Sequence, residues 1–471
     1  MSSTPRSRKA FPVGSKSTGD RRAAPGGKAR GKPPANKPAV VAGPGGGVGI
    51  LARVSPEQLE QALGVVLALN GPADTLLRDF FRRHPDLGRR DRGVVAETAF
   101  DVLRNRRLYT HLTQSVSGPL PRRLMAISLC RRHGQQAVAA LALSAGDELA
   151  LQQAMAIELN ALEQAVRLSL PDWLYEALRS GFSTPSLVGS TEANPVTAPD
   201  PIALLETLGL CLLQPAPLDL RVNLLKSDRA SVMAALKEAG IEAELIDGST
   251  TAIRVSGKPA IERLAAFTQG WFEVQDAGSQ RLVEFAAPRR GQTVVDFCAG
   301  AGGKTLAMAA AMRSSGQIYA CDVSAARLQR LRPRLLRSGA SNVQPFGLDS
   351  ENDPKLRRLA GRADLVLVDA PCSGTGTLRR NPELKWRLQP ESIDELSRLQ
   401  TSILESAARL VKPGGALVYA TCSLLRPENE SVVAAFGAAH PEFAEPTTLS
   451  LRPDESGSDG FFAARWVRNP L

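Results

Sequence analysis

The sequence predicts an α/β carboxyl-terminal domain built on a mostly parallel sheet, preceded by a small α+β module and an all-helical amino-terminal region. Late in the chain, continuous apolar runs such as VVDF (294–297) and LVLVD (365–369) alternate with amphipathic stretches of helical length. Such runs are typical of parallel strands that helices cover on both faces. Shorter strands alternating with helices between 218 and 267 predict the α+β module.

Length and composition set the limits of the domain organisation. A chain of 471 residues has room for about three domains, and 43% hydrophobic with 22% charged residues is ordinary for a globular protein. No run approaches the roughly 18 apolar residues of a membrane span, and no secretory signal is visible, so we expect a cytoplasmic monomer without a membrane partner. The predicted segments are a disordered basic tail (1–50), a helical RNA-binding domain (51–165), a linker with the α+β module (166–280) and the α/β domain (281–471).

Most of the positive charge lies in the first 40 residues. They contain ten Lys and Arg and one acid, Asp20, which gives +9 of the net charge of +11. This segment is rich in Pro, Gly, Ser and Lys and too polar to bury a core, so it is predicted to be disordered. It suits a polyanion such as RNA, and equally a tail that only keeps the protein soluble.

The region 55–165 is predicted to be helical throughout. Ser55 and Pro56 form a helix start, with Ser as the N-cap and Pro in the first turn. Residues 91–112 place apolar side chains on one helical face and arginines on another, where they either contact phosphate or form a solvated face. These arginines are Arg104, Arg106 and Arg107. Four prolines and many small polar residues predict a loop at 183–201. The α+β module that follows, with a last helix predicted at AIERLAAF (260–267), is expected to be an accessory domain without a site of its own.

Further elements are predicted along the α/β domain. Its other strands are IYACD (318–322), VQPF (343–346), ALVYATC (416–422) and a final antiparallel strand GFFAARW (460–466). Its helices are 304–313, 324–338 and 391–411. Because ligands of such sheets bind at the carboxyl ends of the strands, we expect the functional residues just after them.

The stretch VVDFCAGAGGK (294–304) predicts a buried strand, a glycine turn and a helix start, where backbone N–H groups can approach a ligand closely. Three ligands are compatible with this loop. A dinucleotide requires G-x-G-x-x-G, and its third glycine is missing. A triphosphate loop requires G-x-x-x-x-G-K-[ST], from which CAGAGGKT (298–305) departs only at Cys298, and LVLVD (365–369) resembles the acidic strand that holds magnesium in such NTPases. The third ligand is S-adenosylmethionine.

Acidic residues at successive strand ends favour S-adenosylmethionine. Asp296 ends the first strand, Asp322 ends the next, and Asp349 follows the one after that. A carboxylate at Asp322 can accept both vicinal hydroxyls of a ribose, whereas it would repel a triphosphate. Asp349 is expected to lie near the adenine of S-adenosylmethionine. Each of these residues alone could be a turn or N-cap residue, but three at successive strand ends are harder to explain in that way.

Two cysteines lie just past the ends of core strands, Cys372 in DAPCS (369–373) and Cys422 in TCS (421–423). Methylation of a pyrimidine at C5 requires such a thiol, because C5 becomes nucleophilic only after a thiolate adds at C6. Each cysteine alone could be a buried apolar thiol, and their paired placement makes that interpretation much weaker. With six scattered cysteines and four histidines, no metal site is expected.

The chain resembles the Nop/Sun family of RNA cytosine-C5 methyltransferases, and its order of modules is similar to that of the family's bacterial small-subunit ribosomal RNA enzymes. The matching stretches are WFEVQDAGSQ (271–280), DFCAGAGGKT (296–305), DAPCSGTGTLRRNPELKW (369–386), LVKPGGALVYATCS (410–423), PENE (427–430) and DGFF (459–462). Together they cover residues 271–466. RVN (221–223) and the module after it are similar to the family's small domain, and 91–107 more faintly to its NusB-like helical domain.

The resemblance implies a Rossmann-like, mostly parallel seven-stranded catalytic sheet and a set of site residues. Cys422 would be the nucleophile, Cys372 would assist release of the methylated product, and Asp369 would meet cytosine N3. Arg379 and Arg380 would lie close to the RNA. The cofactor S-adenosyl-L-methionine would be held by Cys298, Ala299, Gly300, Ala301, Gly302, Gly303, Lys304, Asp322, Asp349 and Asp369.

One departure concerns the loop itself. The family's usual C-A-A-P-G-G-K is C-A-G-A-G-G-K here, so a proline is lost at Ala301. Gly-Ala can follow the same turn with a less fixed φ, and we expect cofactor binding to survive with a less rigid loop.

The sequence therefore predicts methylation of a cytosine in RNA, with 16S rRNA as the first candidate and tRNA as an alternative. From other classes, a P-loop NTPase acting on RNA and a non-catalytic ribosome-assembly factor remain as alternatives. Both cysteines and all the acids argue against the latter.

Overall fold

A computed structural model of the chain describes residues 54–183 and 200–470. The predicted basic tail and most of the predicted loop at 183–201 lie outside these residues. Within the described ranges, no helix is long and apolar enough to cross a membrane. The same ranges contain no group of three or more His, Cys, Asp or Glu side chains that could hold a metal ion.

The first described region is helical, as predicted. Ser55 caps the first helix: its hydroxyl accepts from the backbone N–H of Gln58 (3.2 Å), while the Gln58 side chain accepts from the backbone N–H of Ser55 (3.2 Å). This reciprocal pair satisfies two N–H groups that have no partner within the helix. The helices are α1 (Pro56–Leu67), α2 (Ala73–Arg83), α3 (Arg89–Leu112), α4 (Leu120–His133), α5 (Ala145–Ala156) and α6 (Gln164–Arg167).

A kink in α3 fastens the helical region to the α/β domain. Asn105 has non-helical angles (φ −106°, ψ 16°), and the carbonyls before it accept hydrogen bonds from outside the helix. Trp386 Nε1 donates to Leu103 O (2.7 Å), and Lys385 Nζ donates to Arg104 O (2.7 Å). Because helix carbonyls normally bond within the helix, the kink supplies acceptors for a second domain.

Two further helices, α7 (Asp172–Ser183) and α8 (Pro201–Leu212), flank the predicted linker. Their buried leucines form an apolar cluster with side chains from the α/β domain. The α/β contributions to that cluster are Leu378, Ile393 and Leu425.

The small module is a four-stranded antiparallel sheet in the order β2-β3-β1-β4. Its elements are β1 (Leu218–Val222), α9 (Arg229–Glu238), β2 (Ala243–Leu245), β3 (Ala252–Val255), α10 (Ala265–Thr268) and β4 (Phe272–Val274). The sequence suggested one helix over 260–267, and this was wrong. Leu264 is extended (φ −70°, ψ 141°) and divides that stretch into a 3₁₀ turn and the short α10.

The carboxyl-terminal domain has a seven-stranded sheet in the order β10-β11-β9-β8-β5-β6-β7, which confirms the predicted fold class. Its strands are β5 (Thr293–Asp296), β6 (Gln317–Asp322), β7 (Val343–Gly347), β8 (Ala363–Asp369), β9 (Val411–Thr421), β10 (Thr447–Leu451) and β11 (Phe461–Val467). Strands β5 to β9 pair in parallel, and β11 is antiparallel to β9, as predicted. Strand β10 was not predicted.

Helices cover both faces of this sheet and leave its carboxyl ends open to the site. They are α11 (Ala277–Ala286), α12 (Gly303–Ala311), α13 (Ala325–Ser338), α14 (Leu384–Arg387), α15 (Pro390–Ala408), α16 (Glu430–Ala439) and α17 (Pro453–Ser456). Strand β8 lies between β5 and β9 in the sheet. The loops that leave β5, β8 and β9 therefore emerge side by side.

Candidate active site

The glycine loop turns sharply between β5 and α12. Gly300 and Gly302 both have positive φ, +56° and +83°. A Cβ on Gly302 would lie only 2.1 Å from Leu331 Cδ1 on α13. Glycine at 302 is therefore required both by the backbone conformation and by space. The turn leaves the first N–H groups of α12 directed outward, the arrangement that receives an anionic or polar ligand group.

Asp322, at the end of β6, is fixed beside this loop. Its two carboxylate oxygens accept from Gly300 N (2.8 Å) and from Ser324 N (2.7 Å). The carboxylate is thereby oriented, and it retains lone pairs for a pair of ligand hydroxyls. The structure brings Asp322 and the glycine loop together, as the sequence suggested.

Asp296, at the end of β5, is buried beneath the loop. One oxygen accepts from Thr305 Oγ1 (2.6 Å), and the other, although buried, has no protein partner among the described residues. Burial raises the pKa of Asp296 to about 7, against the opposing effect of the Thr305 hydrogen bond. Asp296 is therefore a buried carboxyl group beneath the loop, and one of its oxygens is still without a partner in the described part of the chain.

Two arginines from other elements donate hydrogen bonds to carbonyls of the glycine loop. Arg334 on α13 donates to Ala301 O (2.7 Å), and Arg221 on β1 of the small module donates to Gly303 O (2.7 Å). Arg334 also pairs with Glu273 on β4 (2.9 Å). The loop lacks the family's proline, yet these charged donors hold its carbonyls on both sides of Gly302. The small module was expected to have no site of its own, and Arg221 instead supports the cofactor loop directly.

Lys304 connects the loop to β8. Its ammonium lies 2.7 Å from Asp369 Oδ2. Burial alone would lower the pKa of Lys304, but the charge and hydrogen bond of Asp369 outweigh it and raise this pKa. The two predicted residues therefore form an ion pair at the centre of the site, between the glycine loop and the cysteine loops.

The two cysteines meet at the carboxyl ends of β8 and β9. Cys372 Sγ and Cys422 Sγ are 3.3 Å apart, and the backbone N–H of Cys422 donates to Cys372 Sγ (3.3 Å). The hydrogen bond with Cys422, together with burial, raises the pKa of Cys372 well above its ordinary value. The raised pKa favours the thiol form of Cys372, whose sulfur lies in contact with that of Cys422.

Other cysteines are not candidates for the nucleophile. Burial raises the pKa of Cys298 in the glycine loop and of Cys321 inside β6. A buried thiol that stays protonated is a weak nucleophile. Cys298 is partly buried in the glycine loop, and its raised pKa makes it a weak candidate for the nucleophile.

Asp349 and the basic pair, Arg379 and Arg380, bond with other protein groups rather than with the loops described above. Asp349 follows β7, is 87% exposed and pairs with Lys355 (3.1 Å). Arg380 pairs with Asp276 (2.7 Å) and Asp459 (2.5 Å), so its guanidinium is engaged inside the protein. Adenine contact by Asp349 stays a prediction, and so does RNA contact by the basic pair.

Arg379, the other member of that pair, also bonds within the protein. It donates to Pro215 O (3.0 Å), while its own carbonyl accepts from Arg104 (2.9 Å). The basic pair thus joins the helical region, the segment before β1 and the α/β domain. Nothing in the sequence around Arg379 indicated these contacts with other parts of the chain.

Sequence reasoning missed three residues around the site, namely Arg221, Arg334 and Glu428. Two of them lie in stretches that carried the family resemblance, RVN and PENE, but no chemistry could be assigned to them from spacing alone. Arg334 gave no signal beyond its place on a basic helix.

The residues present fit S-adenosylmethionine. The glycine loop offers backbone N–H groups at the start of α12, Asp322 offers oriented oxygens, and Asp296 has a buried oxygen without a protein partner. A sulfonium ligand with a carboxylate, a ribose and an adenine can use each of these groups. A triphosphate would instead meet Asp322 and an already paired Lys304.

Comparison with known proteins identifies two matching families. Residues 283–467 match the family described as 16S rRNA methyltransferase RsmB/F. Residues 206–262 match the ferredoxin-like domain described for RsmF/B-like methyltransferases.

Individual relatives match over longer stretches. The chain is 31% identical over 439 residues to the probable ribosomal RNA small subunit methyltransferase B of Synechocystis sp., covering 83% of this chain and 94% of that one. It is 37% identical to ribosomal RNA small subunit methyltransferase B of Pectobacterium atrosepticum, covering 54% of this chain and 61% of that one. The crystal structure of PH0851 superimposes with a TM-score of 0.68 at 27% identity, over 88% of this chain and 99% of that one.

Proposed function

The chain belongs to the RsmB/F family of 16S rRNA methyltransferases, and from this membership and the site geometry we propose that it methylates C5 of a cytosine in 16S rRNA through a covalent Cys422 adduct. The enzyme depends on S-adenosyl-L-methionine and acts on ribosomal RNA. The bound cofactor supplies the methyl group as an electrophilic sulfonium substituent. An rRNA substrate agrees with the predicted cytoplasmic location.

The adduct follows from the chemistry of cytosine. The Cys422 thiolate adds to C6, and the electrons of the C5–C6 double bond become available at C5, which takes the methyl group. A water molecule then accepts the C5 proton, the electrons of the C5–H bond restore the C5–C6 double bond, and the C6–S bond breaks with both electrons returning to Cys422 Sγ. The observation that supports this sequence is the position of Cys422 at the end of β9, beside Cys372 and close to the Lys304–Asp369 pair.

Asp369 and Cys372 take the supporting roles. Asp369, at the end of β8, would meet cytosine N3 and stabilise the adduct by accepting a hydrogen bond from N3 once that nitrogen is protonated. Cys372 is a protonated thiol in contact with Cys422, so it can donate a proton near the C6–S bond as that bond breaks.

For the cofactor, Gly300, Gly302 and Gly303 would receive the methionine end, and Asp322 the ribose hydroxyls. These assignments are supported by the turn geometry and by the hydrogen bonds that orient Asp322.

The test is methyl transfer from labelled S-adenosylmethionine to 16S rRNA that lacks the modification, in parallel with total tRNA. Bisulfite sequencing should locate one methylated cytosine in the rRNA. Methylation confined to tRNA would overturn the substrate assignment, and transfer to a base other than cytosine would overturn the chemistry.

A further inference from the structure

Glu428 is a buried carboxylate that the mechanism above does not use. It is 0% exposed and lies in the short turn between β9 and α16, within the PENE segment. A buried carboxylate is costly unless it is fully hydrogen-bonded, so its partners indicate what it does.

Those partners are the residues that directly follow the two active-site cysteines. Glu428 Oε1 accepts from Ser373 N (2.8 Å), and Glu428 Oε2 accepts from the hydroxyls of Ser373 and Ser423. Ser373 comes one residue after Cys372, and Ser423 one residue after Cys422. A single side chain therefore holds the loop after β8 and the loop after β9 together.

We propose that Glu428 is a positioning residue that fixes these two loops relative to each other, so that the Cys372 and Cys422 thiols meet. The proposal deepens the proposed function and rests on it for the kinetic part of its test. Glu428 acts on the two thiols through Ser373 and Ser423.

The carboxylate is itself held rigidly. Gln400 Nε2 on α15 donates to Glu428 Oε1 (3.0 Å), and the Tyr419 hydroxyl on β9 donates to Glu428 O (2.6 Å). The following residue, Asn429, accepts from Thr421 Oγ1 (2.6 Å) and donates to Ser423 O (3.0 Å). Small shifts of the turn would therefore be transmitted to both cysteine loops.

A carboxylate suits this position. Ser373 N–H and Gln400 Nε2 donate to one oxygen, the hydroxyls of Ser373 and Ser423 donate to the other, and a carboxylate can accept all four. Glutamine has the same size but replaces one acceptor oxygen by an NH₂ group, so the two serine hydroxyls would have to turn and accept instead of donating. The charge of Glu428 also contributes to the raised pKa of Cys372, after the Cys422 hydrogen bond and burial.

The distance between the thiols can be tested without RNA. Hydrogen peroxide oxidises two neighbouring thiols to a disulfide. The thiols lose two protons and two electrons, and the peroxide is reduced to two water molecules. We expect the Cys372–Cys422 disulfide, identified by peptide mapping, to form about tenfold more slowly in Glu428→Gln than in the wild type. Glu430→Gln, two residues along the same segment, should react at the wild-type rate.

The kinetic test separates positioning from general damage. In Glu428→Gln the kcat for RNA methylation should fall about a hundredfold, while the Kd for S-adenosylmethionine stays within about twofold. Ser423→Ala removes one of the bridging contacts and should show the same pattern more weakly. If Glu428→Gln does not fold, Ser423→Ala provides the test in its place.

Wild-type disulfide and methylation rates in both variants would overturn the proposal, and so would a loss of cofactor affinity that parallels the loss of kcat. If the wild type itself does not methylate cytosine, the proposed function fails. The disulfide rates would still decide the positioning role of Glu428.

Discussion

Cys372 and Cys422 are 50 residues apart in the sequence, and their sulfur atoms lie 3.3 Å apart. The contact follows from the sheet, because Asp369 on β8 pairs in register with Ala420 on β9 and both strands end within the same few residues. Two thiols at this separation can exchange a proton without any movement of the backbone. They therefore act as one unit in the predictions that follow.

Replacing Cys422 by alanine should abolish methyl transfer, because no thiolate remains to activate C5. Cofactor binding should persist within about twofold, since Cys422 lies outside the glycine loop. Transfer assays and calorimetry with S-adenosylmethionine measure the two quantities. Cys211→Ala on α8 is the matched control and should keep full activity. Turnover in Cys422→Ala would exclude the covalent route through this residue.

Replacing Cys372 by alanine should instead trap the reaction after methylation. Without the neighbouring thiol, the bond between Cys422 and C6 is expected to break slowly, and a protein–RNA adduct should accumulate. It would be seen as a shifted band on a denaturing gel that disappears in the Cys372→Ala/Cys422→Ala double variant. If no band forms, Cys372 does not assist release.

Gly302→Ala should weaken cofactor binding by at least about tenfold, since its Cβ would collide with Leu331 at a backbone φ of +83°. Gly291→Ala is a matched control, because Gly291 has a similar φ of +80° but open space around its Cβ position. Calorimetric titration should then show weaker binding only for the first variant. Equal losses in both would mean that backbone strain alone, and not the loop's contact with α13, is responsible.

Arg334→Gln should increase the Kd for S-adenosylmethionine by about tenfold, which corresponds to about 1.4 kcal/mol. The change removes the charged donor to Ala301 O and the ion pair with Glu273, so the loop loses one of its two arginine donors. The exposed Arg330 on the same helix offers the control Arg330→Gln, which should bind normally. An unchanged Kd in Arg334→Gln would show that the loop is rigid without this contact.

The free energy of unfolding should rise with pH above 7 because of Lys385. Burial and the charge of Arg104 lower the pKa of this lysine from 10.5 to about 7. Between these values the unfolded chain holds a proton that the folded chain lacks, so the cost of burying Lys385 falls by up to about 1.4 kcal/mol per pH unit as pH rises. Below about pH 7 both states hold the proton, and the contribution of Lys385 no longer changes with pH.

Denaturant unfolding at pH 7, 8 and 9 checks this prediction. The stability of the wild type relative to Lys385→Met should increase along the series, whereas relative to the exposed Lys258→Met it should stay constant. A constant difference from Lys385→Met would mean that the lysine remains charged when buried.

Periodicity and strand-end residues were sufficient to predict the α/β sheet, its antiparallel β11 and the helical first region, because these depend on local patterns of apolar residues. Strand β10 was missed since its alternation, TTLSL, has few apolar residues and lies at the sheet edge. The single helix expected over 260–267 was wrong because tertiary packing of Leu264 overrode its helical spacing.

The sequence by itself determined the fold class and the class of enzyme, because a glycine turn among strand-end acids and two strand-end cysteines together predict an S-adenosylmethionine-dependent methylation at C5 of a pyrimidine. Only the tertiary structure decided how these parts are held. Arg221 reaches the glycine loop from another module, Lys385 reaches the kink in α3, and Glu428 joins the two cysteine loops. Such contacts join residues far apart in the chain, and they depend on strand order and domain packing, which local spacing does not encode.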